Sequence, residues 1–191
     1  MNQIKILIEG YARINSDGTW DASSTTTLID TGKLKIIVDP GCNRKLLFDA
    51  LEQENLRTID INYVFLSHYH PDHCLLMGIF EKAIVFDSVQ YQNGPIGGET
   101  GEFLPGTDIR IIKTTGHTID HASLLVNTKD GKILVGADVF WWKDGETQIV
   151  EVDKHDDFAS DQILLQDSRS KVLKLADFII PGHGKMFKVD K

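Results

Sequence analysis

Four stretches of this chain run through a short apolar segment and then stop on a side chain of metal-ligand type. Tyr63-Val64-Phe65-Leu66 leads into Ser67-His68-Tyr69-His70-Pro71-Asp72-His73, and the run 109–114 leads into Thr115-Gly116-His117-Thr118. Further on, Val135-Gly136-Ala137 ends on Asp138, and Ile180-Pro181-Gly182 ends on His183. Ligands of a metal site are neighbours in space rather than in sequence. Four buried strands that each present such a group at the C-terminal end therefore have to be arranged so that those ends meet.

The hexad His68-x-His70-x-Asp72-His73 is the densest of the four. Histidines at i and i+2 of an extended segment project to the same side, so both imidazoles reach one cation. Pro71 suits the first position of a helix and Asp72 lies where the helix dipole favours negative charge. The chain is therefore expected to turn into a helix there and re-aim Asp72 and His73 towards a neighbouring point. Packing does not explain four ligand-type side chains in six residues at a strand end. Histidine accounts for 7 of 191 residues, and of these only His155 stands apart from the clusters, as a solvated surface residue.

Short runs rich in Ile, Val, Leu, Phe and Thr at 4–9, 25–30, 35–39, 62–67, 83–87, 109–114, 122–127 and 132–137 read as strands. Asp17-Gly18, Thr31-Gly32, Pro105-Gly106 and Asp130-Gly131 punctuate them, and Lys129-Asp130-Gly131 is a hairpin signal. Residues 43–54 show helical spacing, with Leu46, Leu47, Ala50 and Leu51 on one face and Asn43 as N-cap. A second helix is expected over 158–175, opened by the acidic run 153–157. The glycine-rich stretch 92–107 reads as a flexible surface loop, with a substrate lid as the other option. Helices and strands are interspersed throughout, which implies one α/β (α+β) domain with helices outside a sheet core.

Hydrophobic residues at 41% and charged residues at 25% supply a core and exclude a disordered or fibrous chain. Lys plus Arg at 20 against Asp plus Glu at 28 gives a net charge of −8. Such a chain gets no bulk electrostatic help with nucleic acid or an anionic membrane, so an anionic substrate needs a local positive centre. No run is long and apolar enough for an export signal or a membrane span, and Cys42 and Cys74 read as reduced thiols. Cys74 is expected to be buried. The expectation is a cytoplasmic protein with no membrane partner.

In order and approximate spacing, the hexad, then Gly116-His117-Thr118, Gly136-Ala137-Asp138 and Pro181-Gly182-His183-Gly184, resemble the metallo-β-lactamase-fold superfamily, and specifically its short single-domain members. The Asp39-Pro40-Gly41 turn resembles another of its signatures. The resemblance implies a four-layer αββα sandwich with the site at one edge between two sheets. It further implies that His68, His70 and His117 hold one metal, that Asp72, His73 and His183 hold a second, and that Asp138 bridges them. Five neutral imidazoles and two carboxylates around two dications leave +2, and a bridging hydroxide leaves +1, enough to bind a polarised or anionic oxygen. Water bound there ionises near pH ~7 instead of ~15.7 and becomes the nucleophile. An imidazole at position 70, where the di-iron branch of the superfamily commonly has glutamate, favours two Zn²⁺, although iron or manganese also suits an N/O donor set.

The leading functional expectation is thus a dinuclear zinc hydrolase of a small ester, thioester or lactone. The alternatives are an RNA phosphodiesterase and a non-catalytic metal-binding protein. Asp72 and His121 are the catalytic candidates. His121 resembles a second histidine of glyoxalase II-like members and is open to contact with substrate, contact with a ligand, or a structural role. Asp39 is open to anchoring a ligand histidine or to being a turn residue. Phe140, Trp141, Trp142 and Lys143 either wall the pocket or belong to the core or to a partner contact. A small-molecule substrate is the expected partner, RNA is the second option, and homodimerisation is open.

Overall fold

Strand β5 (Lys35–Val38) shows how the fold follows from a period of two. Ile36 and Val38 enter one apolar cluster and Ile37, pointing the other way, enters another. In the computed structural model, which describes residues 1–190, the same division recurs in strand after strand. On β6 (Tyr63–Phe65), Phe65 joins the first cluster and Val64 the second. On β12 (Gly131–Trp141), Ile133 and Val135 join the first, while Leu134 enters a third. Strands that bury both faces need cover on both, and the chain supplies it as four layers.

The larger sheet has seven strands in the order β1-β4-β5-β6-β7-β8-β9, where β1 is Gln3–Ile8, β4 Thr26–Asp30, β7 Ile84–Phe86, β8 Gln90–Asn93 and β9 Ile96–Glu99. The smaller has five in the order β10-β11-β12-β13-β14, with β10 at Arg110–Lys113, β11 at Ala122–Thr128, β13 at Phe178–His183 and β14 at Phe187–Lys188. The first cluster lies between the sheets, where Ile29, Phe65 and Phe86 of one meet Ile111, Leu124 and Ile180 of the other. Helix α1 (Arg44–Gln53) packs Leu47, Ala50 and Leu51 on the outer face of the larger sheet. Helix α3 (Gln162–Leu175) packs Val172 against Leu134 and Ile179 on the outer face of the smaller. This α+β sandwich is the expected architecture. Among the described residues no helix is long and apolar enough to cross a membrane.

Several local expectations are corrected. The glycine-rich 92–107 stretch is not a plain loop, because β8 and β9 form a hairpin around Gly94-Pro95, paired Asn93 to Ile96, with the Tyr91 ring lying across Gly98. A second hairpin, β2 (Tyr11–Ile14) with β3 (Trp20–Ser23), surrounds the Asp17-Gly18 turn; its short, mixed strands lack the apolar run that signals burial. Helix α3 starts at Gln162 rather than 158, because Asp161 accepts the N–H groups of Ile163 and Leu164. The acidic run 153–157 therefore precedes the helix and does not open it. Strand β12 continues four residues beyond the expected end and carries Asp138 within it. Leu46 is exposed, being turned off the face that Leu47 and Leu51 bury. Cys74 is half-buried rather than enclosed.

Candidate metal centre

Within the larger sheet β5, β6 and β7 run parallel, and in the smaller β12 runs parallel to β13. Their C-terminal ends face one another at one edge of the sandwich, and every candidate donor issues from there. Beyond β6 the chain stays extended through Ser67-His68-Tyr69-His70, then turns into the single-turn helix α2 (Pro71–Cys74), which carries Asp72 and His73. Pro71 occupies the first helical position, as its fixed φ favours. His117 follows β10, and His183 ends β13.

Asp138 depends on a distorted backbone. The β12–β13 register shifts between Val135 and Ala137, and Ala137 has φ +47°, an uncommon conformation for a residue with a Cβ. The bulge turns the Asp138 carboxylate inward. Gly182 on β13 makes room for it, since a Cβ there would lie 1.6 Å from Asp138 Oδ1. The His117 turn has a similar requirement: Gly116 takes φ +135° and a Cβ on it would lie 2.2 Å from the Leu165 backbone nitrogen.

The donors form two groups, His68, His70, His117 and Asp138 in one and Asp72, His73 and His183 in the other, with the donor atoms of each group within 4.8 Å of one another. Asp138 faces both. Its Oδ2 is 3.3 Å from His117 Nε2 and 3.9 Å from His68 Nε2, and its Oδ1 is 3.3 Å from His73 Nε2 and 3.8 Å from His183 Nε2. His70 Nδ1 lies 3.0 Å from His117 Nε2, and His183 Nε2 lies 3.2 Å from Asp72 Oδ2. All seven residues expected to meet do so.

The far nitrogens of these rings fix which nitrogen faces inward. His73 Nδ1 donates to Asp39 Oδ2 at 2.9 Å and His117 Nδ1 to Asp156 Oδ2 at 2.8 Å. His183 Nδ1 donates to the Tyr11 carbonyl at 3.0 Å. Ser67 Oγ gives its proton to Asp39 Oδ2 at 2.6 Å, which leaves its lone pair to accept His68 Nδ1–H at 2.9 Å. Asp39 thus anchors two histidines and sits at φ +48° to do so. Asp156 was not singled out from the sequence. Its signal was there, one carboxylate within an acidic run, but nothing in the run distinguishes the buried member from its exposed neighbours.

Charge is distributed accordingly. Burial pushes the Asp138 carboxyl up, but His73, His183 and His117 around it more than offset that and hold it well below the usual carboxylate range. Burial likewise opposes charge on His73, yet Asp138 and Asp39 raise it well above the usual histidine value. Burial and the neighbouring His73 push His68 well below that value. His68 Nε2, His73 Nε2 and Asp138 Oδ1 are buried without a hydrogen-bond partner. An orphaned polar atom costs about 1–3 kcal/mol, and cations placed between these atoms would remove that cost. The inward set of five imidazole nitrogens and two carboxylates fits divalent metal ions.

His121 lies outside both groups. It is fully buried behind His68, ring centroids 5.0 Å apart, with Nδ1 bonded to Thr114 Oγ1 at 2.9 Å. Burial and the neighbouring His117 push it down to about 3. It stands behind the donors and not at the opening. Phe140 and Trp142 are core residues under α3, whereas Trp141 lies 6.1 Å from the His183 ring. Phe158 packs on Trp141 and Trp20, with centroids 5.7 Å apart in each pair. Lys143 pairs with Asp157, and exposed His155 also faces Asp157.

The profile of the Metallo-beta-lactamase superfamily matches residues 19–92. Over 200 aligned residues, covering 100% of this chain and 83% of the relative, the sequence is 30% identical to Metallo-beta-lactamase domain-containing protein 1 of Xenopus laevis. The fold is similar to that of AidC, a dizinc quorum-quenching lactonase, with TM-score 0.67 and 17% identity over 86% of this chain and 73% of that one. It is also similar to the chemotaxis sensor ODP, solved as a peroxy diiron species, with TM-score 0.62 and 16% identity over 98% of this chain and 85% of that one. These two likenesses speak for the fold alone. The relationship to the Xenopus laevis protein, with the profile match and the His/Asp cluster, establishes that the chain belongs to the metallo-β-lactamase superfamily of hydrolases.

Proposed function

We propose that the chain is a dinuclear zinc hydrolase of small esters, thioesters or lactones. One observation carries this reading: the two oxygens of Asp138 each lie 3.3 Å from a histidine of a different donor group, so that one carboxylate would serve an ion in each. His68, His70 and His117 would hold one ion, and Asp72, His73 and His183 the other. Five nitrogen donors favour zinc over iron or manganese. A bound pair of zinc ions supplies Lewis acidity and a water ionised near pH ~7 as nucleophile. The chain's own groups do the rest. Asp39, Asp156 and the Tyr11 carbonyl hold the imidazoles in the tautomer that faces inward. Asp72, with its side chain 25% exposed, is a partly open carboxylate of the set and would relay the proton lost by the attacking water to the leaving group.

The surroundings support a small acyl substrate rather than RNA. Trp141, Phe158 and Trp20 form an aromatic row leading outward from His183, with Phe158 46% and Trp20 68% exposed. Aromatic rows also suit nucleobases, but a nucleic acid needs unpaired cations for its phosphates. Here Arg13 pairs with Asp144 at 2.6 Å, Lys154 with Glu146 at 2.6 Å and Lys143 with Asp157 at 3.5 Å. The row is electrically balanced and matches an apolar acyl group. The test is zinc-loaded protein assayed on thioesters, lactones and aryl esters beside labelled RNA, with metal content measured on the same sample. Turnover of at least one acyl substrate is expected. Cleavage of RNA alone would replace this reading with the phosphodiesterase, and full metal content without turnover on any substrate would replace it with a non-catalytic metal protein.

A further inference from the structure

Helix α3 does more than cover the outer face of its sheet. Arg169 projects from its buried side and is 1% exposed, and its Nε and Nη1 donate to three backbone carbonyls. Nε donates to Val139 at 2.8 Å, while Nη1 donates to Val152 at 3.2 Å and also to Lys154. Val139 directly follows Asp138. Val152 and Lys154 belong to the segment that carries Asp156, itself 2% exposed. Gln162, the first residue of α3, secures the far side of that segment: its Oε1 accepts from Asp156 N at 3.3 Å and its Nε2 donates to the Asp156 carbonyl. The turn bearing His117 docks on the same helix through Ser168 Oγ, which donates to the Thr115 carbonyl at 2.7 Å.

We infer that Arg169 is a positioning residue for the His68, His70 and His117 side of the centre. One guanidinium ties the strand of Asp138 to the loop of Asp156, and Asp156 in turn holds His117 with Nε2 towards Asp138 Oδ2. The planar fork explains the choice of residue, since the compact ammonium of lysine cannot spread its donors over three carbonyls on two segments. The inference rests on the metal-centre reading above, but concerns one of the two donor groups and not the other.

The test is titration of metal-free protein with zinc against a competing chelator, with cobalt substituted as a spectroscopic probe of each site. Arg169→Met is expected to weaken one site by roughly 10–100-fold, as loss of an outer-shell partner does, and to leave the other within about threefold. Asp156→Asn should weaken the same site. The double variant should fall well short of the combined losses, because both changes reach His117 through the Asp156 loop. Arg169→Lys should recover little. Unchanged affinities in folded Arg169→Met, equal weakening of both sites, or additive losses in the double variant would overturn the inference. If Arg169→Met does not fold, Gln162→Ala serves in its place: selective weakening of that same site supports the α3-held loop, and unaltered binding overturns it. Wild-type protein that binds no zinc would instead sink the metal-centre reading itself.

Discussion

The two sheets furnish the centre in opposite ways. The seven-stranded side sends four donors from one turn of chain, and a single carboxylate, Asp39, holds two of them, His73 directly and His68 through Ser67. The five-stranded side sends its donors singly, His117 and His183 from strand ends and Asp138 from the bulge within β12, and each histidine has its own anchor, Asp156 or the Tyr11 carbonyl. Contiguous donors share support, whereas dispersed donors each require a separate fixture. Damage should therefore spread across the centre when it strikes the first kind of anchor and stay local when it strikes the second.

The largest effect is expected where the two sides meet. Asp138→Ala should lower metal content at both sites and abolish activity, a loss beyond the roughly 100-fold limit of an outer partner. Elemental analysis of the purified variant with wild-type stoichiometry would remove Asp138 from the ligand set. Gly182→Ala should come close behind, because its methyl would fall on Asp138 Oδ1; a variant with normal zinc affinity would mean that β13 yields more easily than its packing implies. Asp39→Asn should weaken both sites by about 10–100-fold, in contrast with the one-sided loss at Asp156. If zinc titration finds only one site changed, the contrast between shared and separate anchors fails.

His121 sharpens the comparison from behind the donors. Its folded value near 3 lies below the ~6.5 of an exposed histidine. As pH falls the unfolded chain takes up that proton first, so the contribution is whole above about pH 7 and drains away between about pH 6.5 and 3. Between pH 7 and 5 the loss amounts to about 2 kcal/mol. His73 and His117, whose values are raised, act in the opposite sense and lose their contribution as pH rises. The difference between metal-free wild type and His121→Gln in urea unfolding isolates the one group, and a difference independent of pH would refute its neutral burial. The smallest effect is expected at the rim, where Trp20→Ala should raise KM for an aromatic acyl ester by about fivefold, the worth of roughly 1 kcal/mol of aromatic contact, with kcat little changed.

The strands were legible as short apolar runs because burial on both faces leaves no polar position, as in Ile36, Ile37 and Val38, whose side chains enter two different clusters; the sandwich itself was expected only from the resemblance carried by the donor motifs. The seven donors were legible because their residue types are costly at buried strand ends unless something satisfies them. What escaped was set by tertiary context. Asp156 becomes an anchor only because α3 folds its loop against His117, and neither Arg169 nor Gln162 carries a local sign of that duty. The β8–β9 hairpin escaped because Gly97 and Gly98 read as loop residues, although the Gln92 side chain fills the space beside Gly97 and the Tyr91 ring that beside Gly98. The start of α3 was misplaced because several acidic residues near it compete as caps; Asp161, on extended backbone, is the one whose side chain accepts the N–H groups of Ile163 and Leu164.

The carbonyl that steadies His183 belongs to Tyr11, 172 residues earlier in the chain. The His183 imidazole therefore finds its support only once a loop of 172 residues has closed. Contacts of such long sequence separation form late in folding. The hexad gathers its side chains within six residues, so the His183 contact, and not the hexad, sets when the seven donors stand together.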